Sequence, residues 1–337
     1  MMVMLDLLLD LLLSPWVFVP LVYPGLVSAF ALLLFIIWAE RKMAGKVQMR
    51  YGPLYVLKPL GGIIQLVADL IRYLFQEPIV PEEADAAAFV LAPIAMFTAC
   101  LLPVVAIPVG PEFYAFRSDI SLLAFLALSS LAPAFTVAVG WASSNKFSLI
   151  GGLREGYLAL AYEVPLVVSA LAGAALYGTM DLVEMAEAQS SVWGVCLNPL
   201  AALVFLLLVY METSRFPFEI SEAESEIVMG PFTEYSGILY GLCMGASYVK
   251  MYALSLLFTV MFLGAWHPLP PPTGTVLDPI LPGAVVFAKA LAVMLFGTFL
   301  RAVYPRYRID QALKISWHTL TPLSLASLAL SALVGVV

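Results

Sequence analysis

This 337-residue chain has little charge and few of the residues that hold metals. Only 12% of it is Asp, Glu, Lys or Arg, about half the share of a soluble domain, and 62% is hydrophobic. That balance excludes an ordinary soluble enzyme. The three cysteines, Cys100, Cys196 and Cys243, lie far apart in apolar runs, and no CxxC occurs, which argues against a thiolate-held zinc or iron–sulfur site. The two histidines, His267 and His318, fall near the ends of apolar stretches, so a histidine-ligated haem pair is not expected either. The net charge is -7, and no basic patch is rich enough to hold a phosphate backbone, which excludes a nucleic-acid partner. Redox chemistry in such a chain needs its tightly bound centres in a partner. The N-terminal run Leu5–Leu13 is interrupted by Asp6 and Asp10 and follows no basic residue, so it is not read as a cleaved signal.

What the chain does have is apolar length. Runs of roughly 20 residues recur throughout, each enough to cross a bilayer as a helix, and they are continuous rather than alternating as barrel strands are. The fold class expected is an all-α polytopic membrane protein, one domain over residues 1–337. Eight spans are expected at Trp16–Ala39, Ala86–Val109, Asp119–Trp141, Tyr157–Gly178, Trp193–Met211, Tyr235–Gly264, Pro282–Val303 and Trp317–Val337. Lys and Arg cluster in the odd-numbered connections: Arg41, Lys42, Lys46, Arg50, Lys58 and Arg72; Lys146 and Arg154; Arg215; then Arg301, Arg306, Arg308 and Lys314. Only Arg117 lies on the opposite side. The positive-inside rule makes those loops (about 40–85, 142–156, 212–234 and 304–316) cytoplasmic and puts both termini outside. Between Leu57 and Gln76, apolar residues recur at helical spacing opposite Gln65, Asp69, Arg72 and Gln76. This is an amphipathic helix, either a surface anchor or the wall of a lipid-accessible cavity.

The segment Met211–Gly237 concentrates six carboxylates, Glu212, Glu219, Glu222, Glu224, Glu226 and Glu234, beside one basic residue, Arg215. Ser221 and Glu224 read as a capping box opening two turns of helix, with Glu219, Glu222 and Glu226 on one face. A solvated acidic loop is the plain alternative. Against it, Phe216, Phe218, Ile220, Ile227, Val228, Met229 and Phe232 are interleaved with the acids, as suits a partly buried loop. Clustered carboxylates in a low dielectric cannot all ionise, so such a loop holds and passes protons near neutral pH. Three ionisable residues fall inside spans: Glu163, Lys250 and Lys289. Each is expected to face protein or water; Lys289 is read as reaching outward to the interface, and Glu163 as the functional candidate.

At these loops the chain resembles a known family. "ERKMAGKVQMRYGP" (Glu40–Pro53), "GWASSNKFSLIGGLRE" with "YEV" (Gly140–Val164), "ETSRFPFEISEAESE" (Glu212–Glu226), "TEYSG" (Thr233–Gly237) and "YPRYRIDQ" (Tyr304–Gln311) are similar to the loops of the respiratory complex I membrane subunit that borders the quinone chamber. They occur in family order across nearly the full chain. The resemblance implies a subunit without activity alone, with quinone as substrate and no tightly bound cofactor or metal of its own. It implies an inner-membrane location, peripheral iron–sulfur subunits docked on the cytoplasmic loops, and antiporter-like membrane subunits as further partners. By matching position it places Glu40, Arg41, Arg301 and Arg306 at the quinone chamber. Asp69, Glu163, Glu212, Glu219, Glu222, Glu224 and Glu226 fall on the acidic path toward the pump. The departure "GPLYVLKP" before the amphipathic helix leaves quinone type open, while "SRFPFE" keeps the carboxylate. The homologous component of a membrane-bound hydrogenase or formate hydrogenlyase is the nearest alternative. A stand-alone transporter using Glu163 and Lys250 as an ion couple, and a structural anchor, are more distant ones.

Overall fold

The computed structural model describes residues 14–111, 113–215, 217–269 and 280–335, so the run Leu5–Leu13 lies outside it. Among the described residues every regular element is helical. The first apolar stretch is α1 (Pro15–Leu21) and α2 (Leu26–Val47), followed by the short α3 (Gln65–Phe75) and then α4 (Ala86–Leu101). The next stretch is α5 (Ser121–Ser129) with α6 (Leu131–Ala142), and after it comes the long α7 (Lys146–Tyr177). The short turns α8 (Leu182–Ala188) and α9 (Gly194–Leu197) lead into α10 (Pro199–Glu212). The acidic segment holds one turn, α11 (Glu224–Ile227). The chain ends with α12 (Gly237–Phe262), α13 (Ile280–Val303), α14 (Ile309–Lys314) and, after a π-helical turn, α15 (Thr321–Val334). Seven of these stretches are long and apolar enough to cross a membrane, and α10 is a shorter apolar helix.

The fold is organised around α12. Every residue from Tyr248 to Phe262 is buried, as befits a helix apolar on all faces. It packs against α4, α13, α3 and α10. A second group gathers on α7, which touches α15, α6 and α10.

Three expected boundaries move. Helix α2 runs past Ala39 to Val47, so Glu40 and Arg41 are helical rather than in a loop. Helix α7 begins at Lys146, because Asn145 caps it through Oδ1, which accepts from the Phe147 amide. At 32 residues it is about 48 Å long, more than the ~30 Å hydrocarbon core requires, so one end projects and carries Arg154 and Glu155. Helix α3 is shorter than the amphipathic pattern, because Leu57, Gly61 and Gly62 all take left-handed backbone angles before it.

The acidic segment is seated directly on α7. A Cβ on Gly151 would lie 2.6 Å from the Gly230 Cα, so only glycine permits this approach of helix and loop. Gly230 itself has φ +55° and packs against the Ser221 carbonyl, where a Cβ would fall at 1.9 Å. Gly151→Ala is therefore expected to destabilise the purified assembly by about 1–3 kcal/mol, as overpacking does. A lowered thermal unfolding temperature measures it.

Candidate functional site

A cavity of about 520 Å³ opens between α2, α3, α12 and the end of α13. Its walls are apolar: Phe30, Leu33 and Ile37 from α2, Leu66, Leu70 and Tyr73 from α3, and Ile238 and Leu242 from α12. Gly241 adds width, since a Cβ there would already touch the Tyr73 side chain at 3.6–3.8 Å. The amphipathic helix thus serves as a cavity wall, while Val67, Ile71 and Phe75 on α3 stay exposed.

One end of this cavity is polar. Glu40, 8% exposed, is ion-paired to Arg301 in the last turn of α13 and accepts a hydrogen bond from the Tyr248 hydroxyl at 3.1 Å. The Arg215 guanidinium lies 3.7 Å from the Tyr248 ring centroid. Such a desolvated cation–π contact is worth about 2 kcal/mol. The second terminal nitrogen of Arg301 approaches Glu219 at 3.5 Å. Arg41 pairs with Asp69 at 2.8 Å at the rim.

Beyond Arg301 lies a second space of about 620 Å³, lined by Glu219, Glu222, Glu224, Ser225, Arg301 and Arg306. Beyond Glu222 lies a third, small one, where Glu155, Glu212, Ser214 and Lys250 meet apolar walls that include Met96 and Phe232. Arg301 is common to the first and second spaces, and Glu222 to the second and third. The three form a series from an apolar cavity to a buried ion pair. In the middle space burial pushes the Glu219 carboxyl up to about 7, and the Glu222 charge pushes the same way. Burial also holds Glu222 at about 7, with Arg215 opposing and Glu155 adding to the rise. Groups poised there take up or release protons on small changes of nearby charge.

The expected residues separate into groups. Glu40, Arg41 and Asp69 line the apolar cavity, so Asp69 sits with the cavity rather than with the loop acids; Arg301 joins cavity to loop. Arg306 lies in the middle space and donates to the Ser225 hydroxyl at 2.9 Å. Glu212 is buried and pairs with Lys250 at 2.7 Å. Glu224 and Glu226 are exposed, Glu226 holding Arg154 at 2.5 Å. Glu163 is half-buried on α7 and lines none of the three spaces.

Several expectations need correction. Ser221 does not cap a helix: α11 is one turn, preceded by Ala223 and without a side-chain cap, and Glu219 and Glu222 lie outside it. The reason is local, because Val228 takes φ +61° and Gly230 folds back onto Ser221, ending the helix early. The acids are not short of cations, since Arg154, Lys250 and Arg301 arrive from α7, α12 and α13. Lys289 does not reach outward; half-buried, it donates to the carbonyls of Leu263, Ala265 and His267 at the end of α12. Glu155 and Tyr248 are site residues that the sequence alone does not single out, and Arg215, the one basic residue of the acidic segment, gains its place against the Tyr248 ring only in the fold. Glu155 closes a motif that reads as a loop, and Tyr248 looks like any apolar-run tyrosine. Among the described residues no group of three or more His, Cys, Asp or Glu is placed to hold a metal ion.

A family model described as NADH dehydrogenase matches residues 21–332. The chain belongs to the NADH dehydrogenase family. Among its relatives, one from Geobacillus thermodenitrificans, named as a subunit of NADH-quinone oxidoreductase, is 40% identical over 299 residues, 88% of each chain. Its namesake from Geobacillus kaustophilus is 41% identical over 299 residues, again 88% of each. That from Bacillus cytotoxicus is 38% identical over 309 residues, 90% of this chain and 91% of the relative. The family assignment spans all three spaces of the site, from α2 to α13.

The poised acids make stability depend on pH. Glu219 and Glu222 bind protons more tightly in the folded loop, at about 7, than an ordinary glutamate does at 4.5. Their contribution is complete below about 4.5, declines as pH rises and is gone above about 7. The unfolding temperature of the purified assembly is expected to fall between about pH 5 and 7. Replacing both with Gln is expected to flatten that slope, which a melting series across pH measures.

Proposed function

We propose that this chain is the quinone-site membrane subunit of a complex I-type NADH-quinone oxidoreductase, a subunit and not an autonomous enzyme. It sits in the cell's inner membrane as eight spans with both termini outside. Its cytoplasmic loops carry the peripheral iron–sulfur subunits, and its membrane flank meets the pumping subunits. The observation that carries this reading is the Arg301 guanidinium, shared between Glu40 at the polar end of an apolar cavity and Glu219 of the acidic loop.

The cavity suits a lipid-soluble quinone. Its volume is within the roughly 300–1,000 Å³ of small-molecule sites, with apolar walls and a few convergent polar groups at one end. An isoprenoid tail lies along Phe30, Leu33 and Ile37, with the headgroup toward Glu40, Arg41, Tyr248 and Arg301. Electrons come from a partner's centre. As the headgroup gains negative charge it attracts Arg301, and the hold of Arg301 on Glu219 weakens. Glu219 and Glu222, already near neutrality, then take up protons. Glu212 and Glu163 lie further along the same route, and Arg306, Glu224 and Glu226 shape the loop's outer face. Quinone is the substrate here, and the chain keeps no bound cofactor.

Inverted membrane vesicles bearing the assembled complex test this, with NADH, the donor in the relatives' names, as the first one to try. Gly241→Leu narrows the cavity and is expected to raise the KM for quinone by about tenfold or more. Glu163→Gln and Glu222→Gln are expected to lose coupling between quinone reduction and proton pumping. Wild-type pumping in both would remove the carboxylates from the mechanism.

A further inference from the structure

The third space has chemistry of its own. It measures about 30 Å³, more than the roughly 10–15 Å³ one water needs. Glu212 is 4% exposed; its Oε1 holds Lys250 at 2.7 Å, while its Oε2 is buried with no partner among the described residues. A buried carboxylate oxygen without a donor is costly, and here it belongs to a residue lining a cavity large enough for water, where Glu155, Ser214 and Lys250 offer polar partners. Glu155, on the projecting end of α7, lines the same cavity, with both its oxygens 2.8 Å from the Ser214 hydroxyl. One hydroxyl proton serves one oxygen at a time, so Glu155 keeps free acceptor capacity. Lys250 is ion-paired to Glu212, and Glu155 lines the same cavity close enough to act on the ammonium through its charge, so the group has a second carboxylate available and room for one more proton. Of the other titratable groups nearby, Cys100 on α4 and Tyr162 and Glu163 on α7 supply no positive charge, and the one further cation is Arg215, which donates to the Ser247 hydroxyl on the cavity wall and faces Glu222 rather than Glu212.

We propose that Glu155, Glu212 and Lys250 form a charge switch around a bound water, in which a proton arriving from Glu222 neutralises Glu212 and Lys250 transfers its pairing to Glu155. The inference rests on the proton-path reading above and adds two residues to it. In the step, the Glu222 carboxyl O–H gives its proton to the water while the water gives one of its own to Glu212 Oε2. Glu222 becomes a carboxylate, Glu212 a carboxylic acid, and the water is regenerated. Lys250 keeps its three protons and changes only its partner. Glu155 is the counter-charge that lets a buried ammonium survive that exchange, since an unpaired charge there would be prohibitive.

The test is the infrared difference spectrum of the purified, assembled complex between acidic and neutral pH, read at the carbonyl stretch of protonated carboxylic acids. Lys250→Met is expected to add about one protonated carboxyl at neutral pH, because its ammonium no longer holds the carboxylates charged. Lys250→Arg is expected to restore the wild-type signal. Glu155→Gln is expected to abolish the Glu212 carbonyl band (identified by its loss in Glu212→Gln) that acidification raises in the wild type, because Lys250 then has no second partner and holds Glu212 charged. Wild-type spectra for both Glu155→Gln and Lys250→Met, with all subunits retained, would overturn the proposal. If Lys250→Met does not assemble, Glu155→Gln decides alone, and an unchanged Glu212 band in that variant overturns the switch. The spectra require no quinone. Normal pumping in Glu163→Gln and Glu222→Gln would therefore defeat the functional reading while leaving these shifts observable, and unshifted spectra would defeat only the switch.

Discussion

Everything in the site depends on one guanidinium held between two carboxylates. Arg301 ends α13, where a lone cation at the edge of an apolar region needs a partner, and it has one on each side. Glu40 comes from α2 and Glu219 from the loop, so a single side chain ties two helices and the loop together. The arrangement works as a balance because burial raises the strength of every charge interaction in it. On the proposed reading, a change of charge on the cavity side is felt on the loop side.

The loop keeps its acids poised through packing. Phe218 stacks on Tyr307 with centroids 5.3 Å apart, and the Tyr307 amide donates to the Pro217 carbonyl at 2.9 Å. Gly151 and Gly230 allow the loop to lie flat on α7. These contacts bury most of Glu219 while leaving Glu222 half-buried between two spaces. The apolar residues among the acids are therefore what gives those acids unusual proton affinities. A solvated loop of the same charge would have ordinary ones.

Much of this was legible in the sequence, and the limits have physical causes. Apolar run length gives the helices, because a bilayer sets that length. The all-helical class follows; Glu212, Glu219 and Glu222 stand out by clustering among apolar residues, whereas Glu40 is a candidate only through the family resemblance. Boundaries failed where helices outgrow the membrane, as α2 does through Glu40–Val47 and α7 does through Lys146–Gly156. The capping-box reading of Ser221 and Glu224 failed because the left-handed Val228 and Gly230 turn the chain back on itself. Lys250 stands out in the sequence as a charge in an apolar run, but its pairing with Glu212 joins two helices 38 positions apart, and local spacing carries no such information.

The most direct measurement of the shared guanidinium's role is the number of protons pumped per quinone reduced in inverted vesicles carrying Arg301→Gln. The expected result is an assembled complex that still reduces quinone, with a raised KM and a several-fold smaller proton yield per quinone, because cavity and loop no longer share a charge. A wild-type proton yield from that variant would contradict the coupling of cavity to loop through Arg301.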